Sequence, residues 1–178
     1  MDLHRLVVFF HVAAVIGTCA ALSIEWLGLR SLRRATSYEQ AREWINVWKL
    51  LPAIGAPSLL GVLLSGVYLA SSLGVWTAPW VAAAIPTLVV VAIAGGSTAP
   101  SRNRVRAAIG QHSGKLPLDL QRQLRARLWQ ASLRVRTVLL AGLVFLMTTK
   151  PEANFLVLAA MGLIAGAWSV AASRGVRM

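Results

Sequence analysis

Hydrophobic positions along this chain fall in long blocks, not in the one-sided scatter of a water-facing helix or strand. The first block, LVVFFHVAAVIGTCAALSIEWLGL from Leu6 to Leu29, contains two ionisable side chains, His11 and Glu25. Further blocks run over Leu50–Leu73, Pro79–Ala99, Val135–Thr149 and Phe155–Ala172. About twenty apolar residues in helical form match a hydrocarbon core of ~30 Å. The pattern predicts an all-α, polytopic transmembrane bundle of five helices, built as a single domain over residues 1–178.

The fourth block is the shortest. Only 13 residues separate Arg136 from Lys150, which is ~20 Å of helix. If Arg134 and Arg136 snorkel, burying their stems and sending their guanidinium groups to the headgroups, the helix begins near Leu128. A re-entrant segment is the alternative. Two polar stretches between the blocks also read as helices. Ser37-Tyr-Glu-Gln40 has capping-box spacing and starts an amphipathic helix toward Pro52. Pro117 and Asp119 suit the first turn of a second one, in which Leu120, Leu124 and Leu128 share a face expected to rest on anionic lipid.

Charge then orients the bundle. Charged residues make up 13% of the chain and the net charge is +12, against about a quarter charged residues in an ordinary soluble domain. Such basicity in a soluble chain would point to nucleic acid, but here the cations lie between the apolar blocks, so no nucleic-acid partner is expected. Of the 18 Lys and Arg residues, all but Arg5 and Lys150 fall on one side of the five-span scheme. The positive-inside rule places that side in the cytoplasm, the N-terminus outside, and the protein in a bacterial-type inner membrane. Trp26, Trp44, Trp48, Trp129 and Trp168 then sit near inner ends and Trp76 and Trp80 near an outer one, the half-wet zone that indoles favour. Cys19 is the only cysteine, which excludes an intrachain disulfide and a CxxC site. Ile16–Cys19 loosely resembles a lipoprotein cleavage box, but Thr18 fits it poorly and the first helix is expected to stay.

Few residues offer chemistry. The second block holds Pro52 and Pro57, which remove amide donors and bend a helix; the freed carbonyls would be met by Ser58, by neighbours or by a ligand. A small-solute path beside Pro57, Ser58 and Tyr68 follows from that reading. Gly61-xxx-Ser65 and Gly162-xxx-Gly166 are small-residue pairs for close helix contact, within the chain or in a homodimer. His4, His11, Thr18 and Glu25 recur every seven residues and form one bundle-facing stripe. His4 and His11 are ~10 Å apart, too far for one metal ion. His11 remains a candidate axial ligand for haem b, with Met147 or Met161 as partner; the plainer reading is a hydrogen-bonded packing residue. Glu25 lies about one turn from the inner boundary and is expected to pair with Arg30, Arg134 or Arg136, or simply to contact headgroup water. Lys150-Pro151 reads as a turn, with Thr148 and Thr149 meeting the last carbonyls. No Walker loop, HExxH, GxSxG or acidic pair occurs.

HVAAVIG in the first helix, LLSGVYL ending the second, the basic loop and LVFLMTTKP closing the fourth resemble the bacterial predicted integral membrane protein family known as domain of unknown function 2269. That resemblance implies a small inner-membrane protein without an assigned activity. The order of elements is also similar, more distantly, to the HemJ-type protoporphyrinogen oxidases, in which a first-helix histidine and a third-helix lysine serve haem and porphyrin. His11 matches the first, whereas APWVAAAIPTLVVVAIAGG contains no lysine. The sequence thus leads to a scaffold or accessory membrane protein, with a haem-binding redox protein and a small-solute permease as the alternatives.

Overall fold

The structure, a computed structural model, describes residues 2–110, 112–124 and 127–150. Six helices follow in order: α1 (Leu3–Leu32), α2 (Tyr38–Trp48), α3 (Leu50–Leu73), α4 (Pro79–Gly110), α5 (Leu118–Leu124) and α6 (Arg127–Thr149). Among the described residues, four helical runs are long and apolar enough to cross a membrane: α1, the run whose apolar part is α3, α4, and α6 from Trp129. The expected fifth span Phe155–Ala172, with Met161, Gly162, Gly166 and Trp168, lies outside the described residues.

Local chemistry sets the helix ends. Asp2 caps α1 by accepting from the His4 amide at 3.4 Å, and Ser37 caps α2 by accepting from the Gln40 amide at 3.3 Å. The reciprocal arm of the expected capping box is displaced by one residue: Gln40 Oε1 accepts from the Thr36 amide, not from that of Ser37. α3 closes on Gly74 at φ +65, with Val75 N donating to Ala70 O and Gly74 N to Ser71 O. This paired closure needs a left-handed residue, which glycine adopts without a Cβ penalty. At the end of α6, the hydroxyls of Thr148 and Thr149 donate to the carbonyls of Val144 and Phe145. Lys150 follows with φ 46, and its ammonium lies 5.5 Å from the Trp80 ring centroid.

α1 packs most closely on α3, and α4 on α6. The larger core gathers at the basic end, where Leu32, Ala41, Ile45, Ile109, Leu124 and Leu133 are all buried. Leu120 and Leu124 join it, so the apolar face of α5 is spent on protein contacts instead of lipid; Tyr38, Ala41 and Ile45 supply an apolar surface there. The side chain of Leu128 is outside the described set. Trp48 and Trp129 are likewise internal, buried in this core with ring centroids 5.7 Å apart, a departure from the headgroup belt. Nearer the other end the described helices share only a small cluster around Ala84, Leu88 and Leu143. Phe9, Phe10, Ile16, Leu64, Val90 and Ile93 stay exposed, as lipid-facing positions should.

The connections at the basic end hold one another. Tyr38 N donates to Gly114 O at 2.9 Å and Leu116 N to Thr36 O at 3.1 Å. Gly114 N donates to Glu39 Oε1 at 3.0 Å, Arg42 Nη2 to His112 O at 2.8 Å, and the His112 ring stacks on Tyr38. Gly114 carries φ +92, another left-handed turn suited to glycine.

Candidate functional site

Glu25 is the buried acid of the described spans, 8% exposed near the basic end of α1. A carboxylate in low dielectric needs a partner, and two guanidinium groups supply one. Arg136 of α6 engages it through two parallel bonds, Nη1 to Oε2 and Nη2 to Oε1, both 2.8 Å. Arg102 of α4 adds Nη1 to Oε1 at 2.5 Å and also donates Nη2 to Gly95 O at 3.3 Å. Arg136 was among the expected partners of Glu25. Arg30 is not used and points outward as an exposed residue. Arg136 also does not snorkel: it is 8% exposed, because a buried counter-ion holds it more firmly than the headgroup layer would. α6 nevertheless starts at Arg127 and runs for 23 residues, and from Trp129 onward it is long and apolar enough to cross a membrane.

Arg102 was not anticipated as a partner. It falls beyond the expected boundary of the third span at Ala99, but α4 continues through Pro100 to Gly110 and carries Arg102 back over Glu25. The turn before Pro100 offers carbonyl acceptors to its neighbours. Gly95 O accepts from Thr98 Oγ1 at 2.9 Å, and Ala94 O accepts from Ser132 Oγ of α6 at 2.7 Å. At Gly95 an added Cβ would stand 3.3 Å from Arg136 Nη1, close enough to press on the guanidinium. Trp129 Nε1 donates to Ser101 Oγ at 3.2 Å and Trp26 Nε1 to Thr137 Oγ1 at 2.9 Å. Trp48 Nε1 and Arg136 Nε are buried without a partner among the described residues.

From this cluster a half-open cleft of about 550 Å³ runs between the two helix pairs. Its walls are apolar, with Ala21, Gly55, Leu59, Leu63, Leu88 and Leu140 among them, and Glu25, Arg102 and Arg136 form its polar end. The volume is that of a small-molecule site. The cleft lies between the α1–α3 and α4–α6 pairs, and its rim residues Ala56, Leu60, Val89 and Ala92 are exposed. Its carboxylate is locked by guanidinium groups, and Thr18 Oγ1 is turned back onto Ala14 O at 2.9 Å. Neither offers an activated nucleophile or a free base.

The other candidates sit elsewhere. His11 Nδ1 meets Ser65 Oγ at 2.8 Å, and Ser65 Oγ donates to Gly61 O. The Gly61–Ser65 pair thus joins α3 to α1, with Gly61 facing Ala14 and Gly66 facing the imidazole. Met147 packs by the Ala84–Leu88–Leu143 cluster, and neither it nor His11 lines the cleft. The described residues therefore do not assemble a haem pocket at His11, and Met161, the other candidate ligand, lies outside them. Pro57 and Tyr68 are exposed, Ser58 packs against Gly17 of α1, and none of the three borders the cleft. Among the described residues no three His, Cys, Asp or Glu side chains group as a metal site. The cleft itself left a faint trace in the sequence: the small residues Gly55, Ala56, Ala92, Gly95 and Gly96 lie on its two walls, but their pairing across helices is a tertiary fact. Comparison of the chain with protein-family models, with curated proteins and with solved structures gave no match.

Proposed function

We propose that this protein is a membrane-embedded accessory protein that binds a membrane-soluble amphiphile, not an enzyme acting on one. The observation that carries the reading is the apolar cleft of about 550 Å³ closed at one end by Glu25, Arg102 and Arg136. An apolar wall recognises a chain or ring system, and a cationic end orients a polar head. The locked carboxylate argues against acid–base or nucleophilic work at the same place. The same proposal includes the finer topology: five spans, the basic connections in the cytoplasm, the N-terminus outside, and the inner membrane as location, supported by the basic residues collected at one end of the bundle. It also keeps kinship with the predicted integral membrane protein family of unknown activity, on the FLMTTKP stretch.

Ala92 and Ala56 are exposed rim positions whose enlargement fills the cleft without opening the core. Protein purified in mild detergent should carry co-purifying lipid-like molecules, detected by mass spectrometry of an organic extract. Ala92→Phe and Ala56→Phe should remove them while elution volume and helical content stay unchanged. Equal amounts of bound amphiphile in the folded variants would end the proposal.

A further inference from the structure

The charge cluster is unbalanced: two guanidinium groups face one carboxylate. Arg136 alone satisfies both oxygens of Glu25 in a fork-to-fork arrangement. Arg102 adds a third bond to an oxygen already engaged, and its side chain is 20% exposed against 9% for Arg136. The surplus positive charge therefore resides at Arg102, on the wall of the cleft. A cation in a poorly solvated site with its counter-ion already neutralised is a site for a second anion.

Depth narrows the anion. Arg102 follows the apolar stretch of α4 and stands at the basic end, the level of headgroups. Along α4 the lining runs from Leu88 to Arg102, ~21 Å at the helical rise, more than half of a ~30 Å hydrocarbon core. The walls along that length are apolar, and the rim residue Gly96 leaves open space where a side chain would stand. The site has the dimensions of one extended hydrocarbon chain with an anionic head at its end.

Resting on the amphiphile-binding reading above, we infer that the cleft takes an acyl chain of an anionic phospholipid from the surrounding bilayer, with the headgroup phosphate on Arg102. Arg102 then shifts its Nη1 contact from Glu25 to the phosphate, while Arg136 keeps the carboxylate neutralised. Both lipid classes offer a phosphodiester to the guanidinium donors, but the cationic group of a zwitterionic head offsets that charge beside Arg102, so the surplus positive charge favours the anionic lipid.

The test is competition within one sample. The full chain is exchanged into mixed micelles holding equal amounts of phosphatidylglycerol and phosphatidylcholine, and retained lipid is counted by native mass spectrometry. Wild-type protein should retain phosphatidylglycerol in clear excess. Arg102→Gln keeps the Glu25–Arg136 pair and should bring the ratio of the two lipids down by roughly tenfold, the size of one charge-assisted hydrogen bond. Arg102→Lys keeps the charge but not the fork and should give an intermediate ratio; it serves as the readout if the Gln variant does not fold. Equal retention of both lipids by wild type, or an unchanged ratio in a folded Arg102 variant, overturns the headgroup assignment and leaves the cleft reading standing. If wild type retains neither lipid, the phospholipid inference falls, while the amphiphile reading stands or falls on the organic-extract measurement above.

Discussion

At the scale of single residues, burial decides what each ionisable group is worth. Glu25 stands between two guanidinium groups that would otherwise face each other across the α4–α6 contact. Glu25→Gln leaves both cations without a counter-ion in a buried site, a change that costs about 3–5 kcal/mol. A drop of that order in the thermal or denaturant stability of the detergent-purified protein is expected, and a loss below about 1 kcal/mol would show the cluster to be solvated. His11 is a smaller effect of the same kind. Its bond to Ser65 joins α1 to α3, and hydrogen bonds between membrane helices average ~0.6 kcal/mol with a ceiling near 1.7. A double-mutant cycle on His11→Ala and Ser65→Ala should return a coupling in that range; zero coupling would remove the bond from the account of this helix pair. His11 and Glu25 stood out in the sequence as polar groups in an apolar block, and the seven-residue stripe that they share with Thr18 falls on the buried side of α1. Their partners did not stand out, since Ser65 and Arg102 are 54 and 77 residues away along the chain.

At the scale of elements, the chain's own periodicity reproduces most helix limits, and the departures have local causes. α3 begins and ends where the apolar block does, because Gly74 closes it. α4 overruns its block because Pro100 removes only one amide from a helix whose neighbouring turn is tied to α6 through Ser132, Ser101 and Trp129. The α1–α2 and α4–α5 connections form a clasp in which Gly114 N donates to Glu39. That amide bond, more than any other influence, holds the Glu39 carboxyl below its ordinary value of 4.5. A carboxyl with a lowered folded-state pKa favours the unfolded chain as the proton acceptor. The clasp contribution is therefore full above the ordinary carboxylate range and fades as pH falls through the lowered value of Glu39. Amide exchange at Gly114 should be slower in wild type than in Glu39→Gln near neutral pH, and the two should converge on acidification. Matching exchange at every pH would dismiss the carboxylate from the clasp.

At the scale of the whole molecule, the described helices form two tight pairs joined by a well-packed basic end, with an apolar cleft left between them. Solidity at one end and a gap along the membrane-facing length suit a protein that admits a bilayer component without unfolding its base. The proposed orientation in the bilayer rests on charge and is open to direct measurement. Cys19 is the chain's only cysteine, so Cys19→Ser supplies a silent background for single cysteines at Ser113 in the basic connection and Val75 beyond α3. Membrane-impermeant maleimide applied to intact cells should label Val75→Cys and spare Ser113→Cys until the membrane is opened. The reverse pattern would invert the topology.

What the sequence determined by itself follows from local physics. Length and apolarity of the blocks dictate helices long and apolar enough to cross a membrane, since a backbone in hydrocarbon must satisfy its own polar groups. Serine, aspartate and glycine at the boundaries dictate where several of those helices start and stop. Tertiary structure alone decided which side chains meet. It turned Arg136 inward, brought Arg102 from beyond its span onto Glu25, took His11 into a contact with Ser65, and left Pro57 and Tyr68 on the surface. A periodicity specifies the face that a residue occupies on its own helix, but not the neighbour across the gap. That choice depends on how the small residues of α3 and α4 let the helix pairs approach and how two cations share one buried acid.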